Sequence, residues 1–137
     1  MFSDGIILAT QFINVANTGF QDIMHWNRLV DSPDTDILPF VREKATIVVQ
    51  KNTYTACTDE VLRILKENDV SEVFLAGIDT DCCVLATATG LFEHNLRPIV
   101  LEHYCASNGG KASHQAAITV MKRTIGVEQI FYGAYSE

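Results

Sequence analysis

Two adjacent cysteines and one lysine are the residues of this sequence whose positions favour nucleophilic chemistry. Cys82 and Cys83 follow the apolar run at residues 72–78, where a predicted strand gives way to a helix. A thiol in the first turn of a helix lies beside N–H groups and the positive end of the helix dipole, which favour the thiolate. Lys51 follows another predicted strand, and a nearby ammonium group favours a thiolate further. The pattern therefore predicts a nucleophilic cysteine beside amides that could bind an oxyanion.

The same residues also have plainer interpretations, which their spacing leaves open. A cysteine at the start of a buried helix is often a small packing residue, and a lysine is by default solvated. We interpret Cys57 and Cys105 as packing residues. The four cysteines form neither a CxxC pair nor a zinc spacing, so we predict reduced thiols and no metal site. Three histidines are interpreted as surface or helix-face residues: His25, His94 and His114.

The composition limits the classes of protein to which this chain can belong. With 137 residues, 47% of them hydrophobic, the chain can bury one core, so we predict a single domain. A formal net charge of -7 without a basic stripe argues against a nucleic-acid partner. No apolar run approaches the length of a membrane span, and no signal peptide is visible. We therefore expect a cytoplasmic protein that binds neither nucleic acid nor membrane.

Short apolar runs alternate with segments of helical periodicity along most of the chain. Strands are predicted at residues 5–10, 46–50, 72–78, 98–102 and 129–133. Helices are predicted at residues 58–68, 81–95 and 113–123, with a short helix at 21–30 followed by a long loop. This alternation predicts an α/β fold, a Rossmann-like parallel sheet with helices on both faces in three layers. Continuous apolar strands of this kind are typically buried on both faces.

The carboxyl ends of the predicted strands define one candidate edge for a ligand site, because ligands of open parallel sheets bind there. The residues that follow the strands are Gln11, Phe12, Lys51, residues 79–83, His103 and Tyr104. The rule therefore brings a lysine and a cysteine to the same edge of the sheet.

Three segments resemble the isochorismatase-like cysteine hydrolases. GIDTDCCVLATATGLF is similar to the family signature, in which a strand ends in Gly-aliphatic-x-Thr-Asp and a catalytic cysteine precedes a valine and a Thr-Ala pair. VVQKNTYTACTDEVLRIL is similar to its strand-lysine-helix segment. PIVLEHYCASNGGKASHQAAITVM is similar to its fifth strand with the following Ala-Ser and helical histidine. The resemblance covers nearly the whole chain.

The resemblance implies roles for individual residues. Cys83 matches the nucleophile and Lys51 the catalytic lysine, whereas Cys82 falls at a variable position. The family places a non-proline cis peptide in this turn, which here would join Ile78 to Asp79. That bond would direct the amides of Asp79 and Cys83 toward one point as an oxyanion hole. The candidates to wall the substrate pocket are Phe12, Trp26 and Tyr54.

The sequence departs from the family pattern in two places. The family's third catalytic residue is an aspartate within a first, central strand of the type V-x-D-x-Q, and this chain begins after that strand would have ended. Asp4 is no substitute, since it precedes the second strand. We therefore expect residues 1–137 to form an N-terminally incomplete hydrolase domain whose first central strand is absent, leaving strand edges exposed and activity low. Nicotinamidases also carry an Asp-x-His metal motif where this chain has TQFIN, so we expect no metal, no cofactor and a substrate other than nicotinamide.

The resemblance implies a cysteine hydrolase that cleaves a small amide-type C–N bond through a covalent acyl-enzyme on Cys83. The alternative is an inactive family member or a fragment that serves as a structural or interaction subunit, which the absent aspartate favours. We expect a small-molecule substrate and a homo-oligomer, either a dimer or a tetramer.

Overall fold

A computed structural model of the protein describes residues 5–133, so Asp4 lies outside the described residues. The described chain divides into two compact units, the first ending at Thr53 and the second beginning at Tyr54. The expectation of one domain over residues 1–137 stays a prediction.

The first unit contains two parallel strands and two short helices. Its elements are β1 (Leu8–Phe12), α1 (Gly19–Asp22), α2 (Pro39–Lys44) and β2 (Ile47–Lys51). The strands pair in register, from Leu8 beside Ile47 to Phe12 beside Lys51. Phe12 and Lys51 are therefore neighbours at the carboxyl end of the pair.

The predicted helix at residues 21–30 is wrong. The helix found there, α1, ends at Asp22. His25 and Leu29 have φ angles of 55° and 58°, in the left-handed region that a right-handed helix excludes. The apolar spacing that suggested a helix therefore belongs to a loop.

Asn14 anchors this loop by bonds to distant backbone groups. Its side-chain Nδ2 donates to the carbonyl oxygens of Trp26 at 2.8 Å and of Arg28 at 3.0 Å. Its backbone N–H donates to the carbonyl oxygen of Leu29 at 2.7 Å. These bonds fix the position of Trp26.

A second difference from the prediction is helix α2, whose residues were predicted to form part of a long loop. The helix begins at Pro39, and proline is suited to the first turn because that turn needs no N–H from it. Pro39 therefore starts a helix inside the segment that was predicted to be a loop.

The second unit is an alternation of strands and helices. Its elements are α3 (Asp59–Glu67), β3 (Glu72–Ile78), a π-helical turn (Thr80–Val84), α4 (Leu85–Glu93), β4 (Arg97–Ala106), α5 (Lys111–Thr124), a 3-10 turn (Val127–Gln129) and β5 (Ile130–Phe131). The three strands form a parallel sheet in the order β3-β4-β5. Helix α3 lies within the predicted bounds, and Thr58 caps it by accepting a hydrogen bond from the N–H of Val61 at 3.3 Å.

One apolar cluster holds α4, α5 and the sheet of the second unit together. Ala88 of α4, Val100 of β4 and Met121 of α5 are completely buried. The cluster also contains Val84, Ala117, Ile118, Ile125 and Ile130. Because Val84 ends the π-helical turn, this core fixes the base of that turn.

The predicted α/β fold with parallel strands is confirmed. Burial on both faces is wrong for β3, whose residues alternate between exposed and half-buried. In the described residues β3 lies at the edge of its sheet, whereas β4 lies between two strands and is buried from Pro98 to Leu101. Among residues 5–133, no helix has both the length and the apolar character that crossing a bilayer requires.

Candidate active site

The turn between β3 and α4 carries both adjacent cysteines. The peptide bond between Ile78 and Asp79 is cis. The carbonyl oxygen of Asp79 then accepts hydrogen bonds from the N–H groups of Cys82 and Val84, each at 3.1 Å. Cys83 thus lies in a tight π-helical turn, where an ordinary α-helical start was predicted.

The segment after β4 holds this turn through its carboxylates. The Ser107 hydroxyl donates to Asp81 Oδ1 at 2.7 Å, and the backbone N–H of Asn108 donates to Asp79 Oδ1 at 2.8 Å. Each carboxylate therefore accepts a hydrogen bond from the same loop. Charge-assisted bonds of this kind are short and directional, so they restrain the backbone that carries Cys83.

The environment of Cys82 disfavours a thiolate there. Burial is the largest effect that raises the pKa of the Cys82 thiol, followed by the charges of Asp81, Asp79 and Cys83. A thiol with a raised pKa is largely protonated at neutral pH and therefore a poor nucleophile. The environment of Cys82 therefore opposes a nucleophilic role for that thiol.

The pKa of the Tyr54 phenol responds to the two cysteines of the turn. Burial, followed by charges on Cys82 and Cys83, raises the pKa of the Tyr54 phenol. One of the three predicted pocket residues is therefore electrostatically coupled to the cysteine turn within the second unit.

Cys57 and Cys105 occupy packing positions. The Cys57 thiol lies 3.6 Å from the carbonyl oxygen of Thr87, and the Cys105 thiol lies 3.9 Å from that of Leu75. Burial is the main cause that raises the pKa of each thiol. All four cysteines of the chain lie in its described part, and none forms a disulfide.

Lys51 is buried in the first unit, where only 7% of it is exposed. Its Nζ donates to the carbonyl oxygen of Thr53 at 2.6 Å and lies 5.4 Å from the centroid of the Phe12 ring. An ammonium over an aromatic face is attracted by the ring quadrupole. The alternative interpretation of Lys51 as a solvated lysine is therefore wrong.

The structure brings together two of the predicted pocket residues in the first unit and adds a third aromatic. The ring centroids of Phe12 and Trp26 are 6.2 Å apart, and Phe20 lies 5.0 Å from Phe12 and 6.1 Å from Trp26. Phe20 was missed because no motif or spacing marks it, and helix α1 places it in this cluster.

Two residues predicted at the strand ends lie elsewhere. β4 continues to Ala106, so His103 and Tyr104 lie inside the strand instead of after it. The prediction ended this strand at residue 102, because the apolar run stops there while the pairing with β3 continues through Cys105 and Ala106.

One group of possible metal ligands occurs among the described residues. Single ligand atoms of Asp79, Asp81 and Cys82 lie within 4.8 Å of one another. Both carboxylates already accept hydrogen bonds from the loop after β4. This group is better explained as a restraint on the turn.

The segment at residues 10–14 does not fit the Asp-x-His metal motif. Its polar side chains are amides and a hydroxyl, and the amides bond to backbone carbonyls: Gln11 Nε2 donates to Thr35 and Asn14 Nδ2 to Trp26 and Arg28. Hydrogen-bonded amides are poor substitutes for imidazole and carboxylate ligands.

Comparisons with known proteins agree on one family. Residues 4–130 match a family model described as the isochorismatase domain. Isochorismatase family protein 1A of Dictyostelium discoideum is 34% identical over 65 residues, which are 46% of this chain and 32% of that protein. The chain thus spans about a third of the length of this relative.

Two solved structures show the same fold at low sequence identity. A nicotinamidase from Bacillus subtilis is 19% identical with a TM-score of 0.81, covering 94% of this chain and 76% of that one. An N-carbamoylsarcosine amidase from Thermoplasma acidophilum is 21% identical with a TM-score of 0.76, covering 90% of this chain and 70% of that one. At these identities the likeness shows the fold alone.

Proposed function

The chain belongs to the isochorismatase family, and we propose that it is a cysteine hydrolase that cleaves a small amide-type C–N bond through an acyl-enzyme on Cys83. The observation that carries this proposal is the restrained π-helical turn between β3 and α4, on which Cys83 stands. The hydrogen bonds from Ser107 and Asn108 support it, since a nucleophile must be held in a reactive geometry.

The proposed reaction has two stages. The Cys83 sulfur attacks the carbonyl carbon, and the amides of Asp79 and Cys83 hold the resulting oxyanion. The C–N bond then breaks, and the proton lost by the thiol passes to the departing nitrogen, which leaves as an amine or ammonia. Water attacks the thioester, releases the acid and returns the thiol.

Three further residues have proposed roles. Lys51 takes the role of the family's catalytic lysine, and its burial supports a function beyond solvation, because a buried amine is costly without a partner. Phe12 and Trp26 are proposed to bind the apolar part of a substrate, and their ring contacts make them rigid enough to do so. Tyr54 is proposed to bound the pocket beside the cysteine turn, as the effect of the cysteine charges on its pKa supports.

Ammonia release from a panel of small amides tests the proposed function. The panel contains N-carbamoylsarcosine, aliphatic carboxamides and nicotinamide, assayed with the full chain. We expect at least one aliphatic or carbamoyl compound to release ammonia faster than nicotinamide. The absence of release from every member, with the protein folded, would contradict the proposal and favour a role as an interaction subunit.

Chelation is expected to leave the activity unchanged. Residues 10–14 do not fit a metal motif, and no step of the proposed reaction needs a metal. The measurement is the ammonia-release rate before and after prolonged dialysis against EDTA. A loss of rate that zinc or iron restores would show that the segment TQFIN was misinterpreted.

A further inference from the structure

Thr80 begins the cysteine turn and is completely buried, with 0% of it exposed. Its hydroxyl oxygen lies 2.7 Å from Nδ1 of His114 on α5, 34 residues away in the sequence. A buried hydroxyl has no water to replace a lost partner, so this hydrogen bond ties the turn firmly to α5.

Glu102 of β4 faces the other nitrogen of the same ring. Its Oε1 lies 3.8 Å from His114 Nε2, and the two side chains are only 16% and 14% exposed. A carboxylate on this side favours the tautomer with its proton on Nε2. Nδ1 then accepts, so the Thr80 hydroxyl donates to His114.

Three consecutive residues of the turn are therefore held from one segment of the chain. Asp79 and Asp81 bond to the loop after β4, and between them Thr80 bonds to α5, which follows that loop. The His114 bond is the most deeply buried of these, because it reaches the completely buried Thr80.

We propose that His114 is a positioning residue for Cys83. Through the Thr80 hydroxyl it holds the π-helical turn in the conformation that presents the thiol and the turn's amides to a substrate. Glu102 orients the ring by fixing its tautomer. This inference rests on the proposed function. The sequence marked His114 only as the helical histidine of the family resemblance and, from its spacing, as a surface or helix-face residue, without a role in the site.

The test measures the rate at which iodoacetamide labels Cys83 at neutral pH, followed by peptide mapping. Thr80→Val and His114→Phe keep the shape of each side chain but remove the hydrogen bond. Both are expected to slow labelling of Cys83 about tenfold, since small displacements of a reactive group lower rates steeply.

Conservative variants separate positioning from packing. Thr80→Ser keeps the hydroxyl, and His114→Asn keeps a polar atom near the position of Nδ1, so both are expected to retain most of the labelling rate. Thr119→Val is the matched control on α5, because the exposed Thr119 hydroxyl donates to the carbonyl oxygen of Gln115, one turn back in the same helix. In the ammonia-release assay, Thr80→Val should lower kcat more than it raises KM.

The outcomes distinguish this inference from the proposed function. If Cys83 of the unsubstituted chain reacts no faster than Cys82, the proposed function is wrong. If Cys83 reacts preferentially but folded Thr80→Val and His114→Phe label at the unsubstituted rate, the positioning role is wrong. Should those two variants fail to fold, Glu102→Leu decides, because leucine removes the acceptor that faces Nε2 of His114: slower labelling of Cys83 supports the role, and an unchanged rate overturns it.

Discussion

Replacement of Cys83 by alanine is expected to abolish hydrolysis, lowering kcat by about 10⁴-fold or more, as loss of a nucleophile does in other hydrolases. The proposed acyl-enzyme forms on the Cys83 sulfur, and alanine offers no atom that could attack the carbonyl. The measurement is ammonia release from the best substrate of the panel, together with far-UV circular dichroism to show that the fold is retained.

Cys82→Ala is the matched control. The Cys82 side chain is the same size as that of Cys83 and lies in the same turn. Burial and the charges of Asp81 and Asp79 raise the pKa of the Cys82 thiol. We expect this variant to keep most of the activity. If Cys82→Ala loses activity while Cys83→Ala retains it, the assignment of the nucleophile is reversed.

Replacement of Lys51 by methionine is expected to lower kcat by about 10² to 10³-fold, the usual cost of removing one electrostatic contribution to a transition state. Methionine preserves the apolar stem that packs in the first unit, and it removes only the ammonium that bonds to Thr53 and lies near the Phe12 ring. The loss should therefore appear in kcat, with little change in the urea concentration at the midpoint of unfolding.

Lys44→Met provides the control for the loss of one positive charge. Lys44 is exposed in the last turn of α2, in the same unit as Lys51. We expect Lys44→Met to leave kcat unchanged. Equal kcat values for Lys51→Met and Lys44→Met would leave Lys51 without the catalytic role that the family resemblance implies.

Local patterns were sufficient where neighbouring residues decide the structure. The apolar run at residues 72–78 predicted β3 with its observed bounds, and the apolar stripe at residues 58–68 predicted α3. The signature around Cys83 marked the turn between β3 and α4, because strand end, turn and helix start are contiguous in the sequence.

Local patterns failed where distant backbone groups decide the path. Residues 21–30 have helical spacing, but Asn14 binds the carbonyls of Trp26 and Arg28 and holds the chain as a loop. The spacing of apolar residues cannot reveal a hydrogen bond that is donated by a distant residue such as Asn14. The sequence pattern also did not reveal that Lys51 is buried. Lys51 pairs with Phe12 of the neighbouring strand, and its Nζ lies over the Phe12 ring.

The sequence by itself determined the parallel α/β fold, the family resemblance and the preference for Cys83, because each rests on contiguous residues. Only the tertiary structure decided how the cysteine turn is held and why the pKa of the Cys82 thiol is raised. Thr80 and His114 are 34 residues apart, Ser107 and Asp81 are 26 apart, and Asn108 and Asp79 are 29 apart. Such pairs form only once β4 has packed beside β3 and α5 against the core, and the burial that raises the pKa of Cys82 exists only in that packed state.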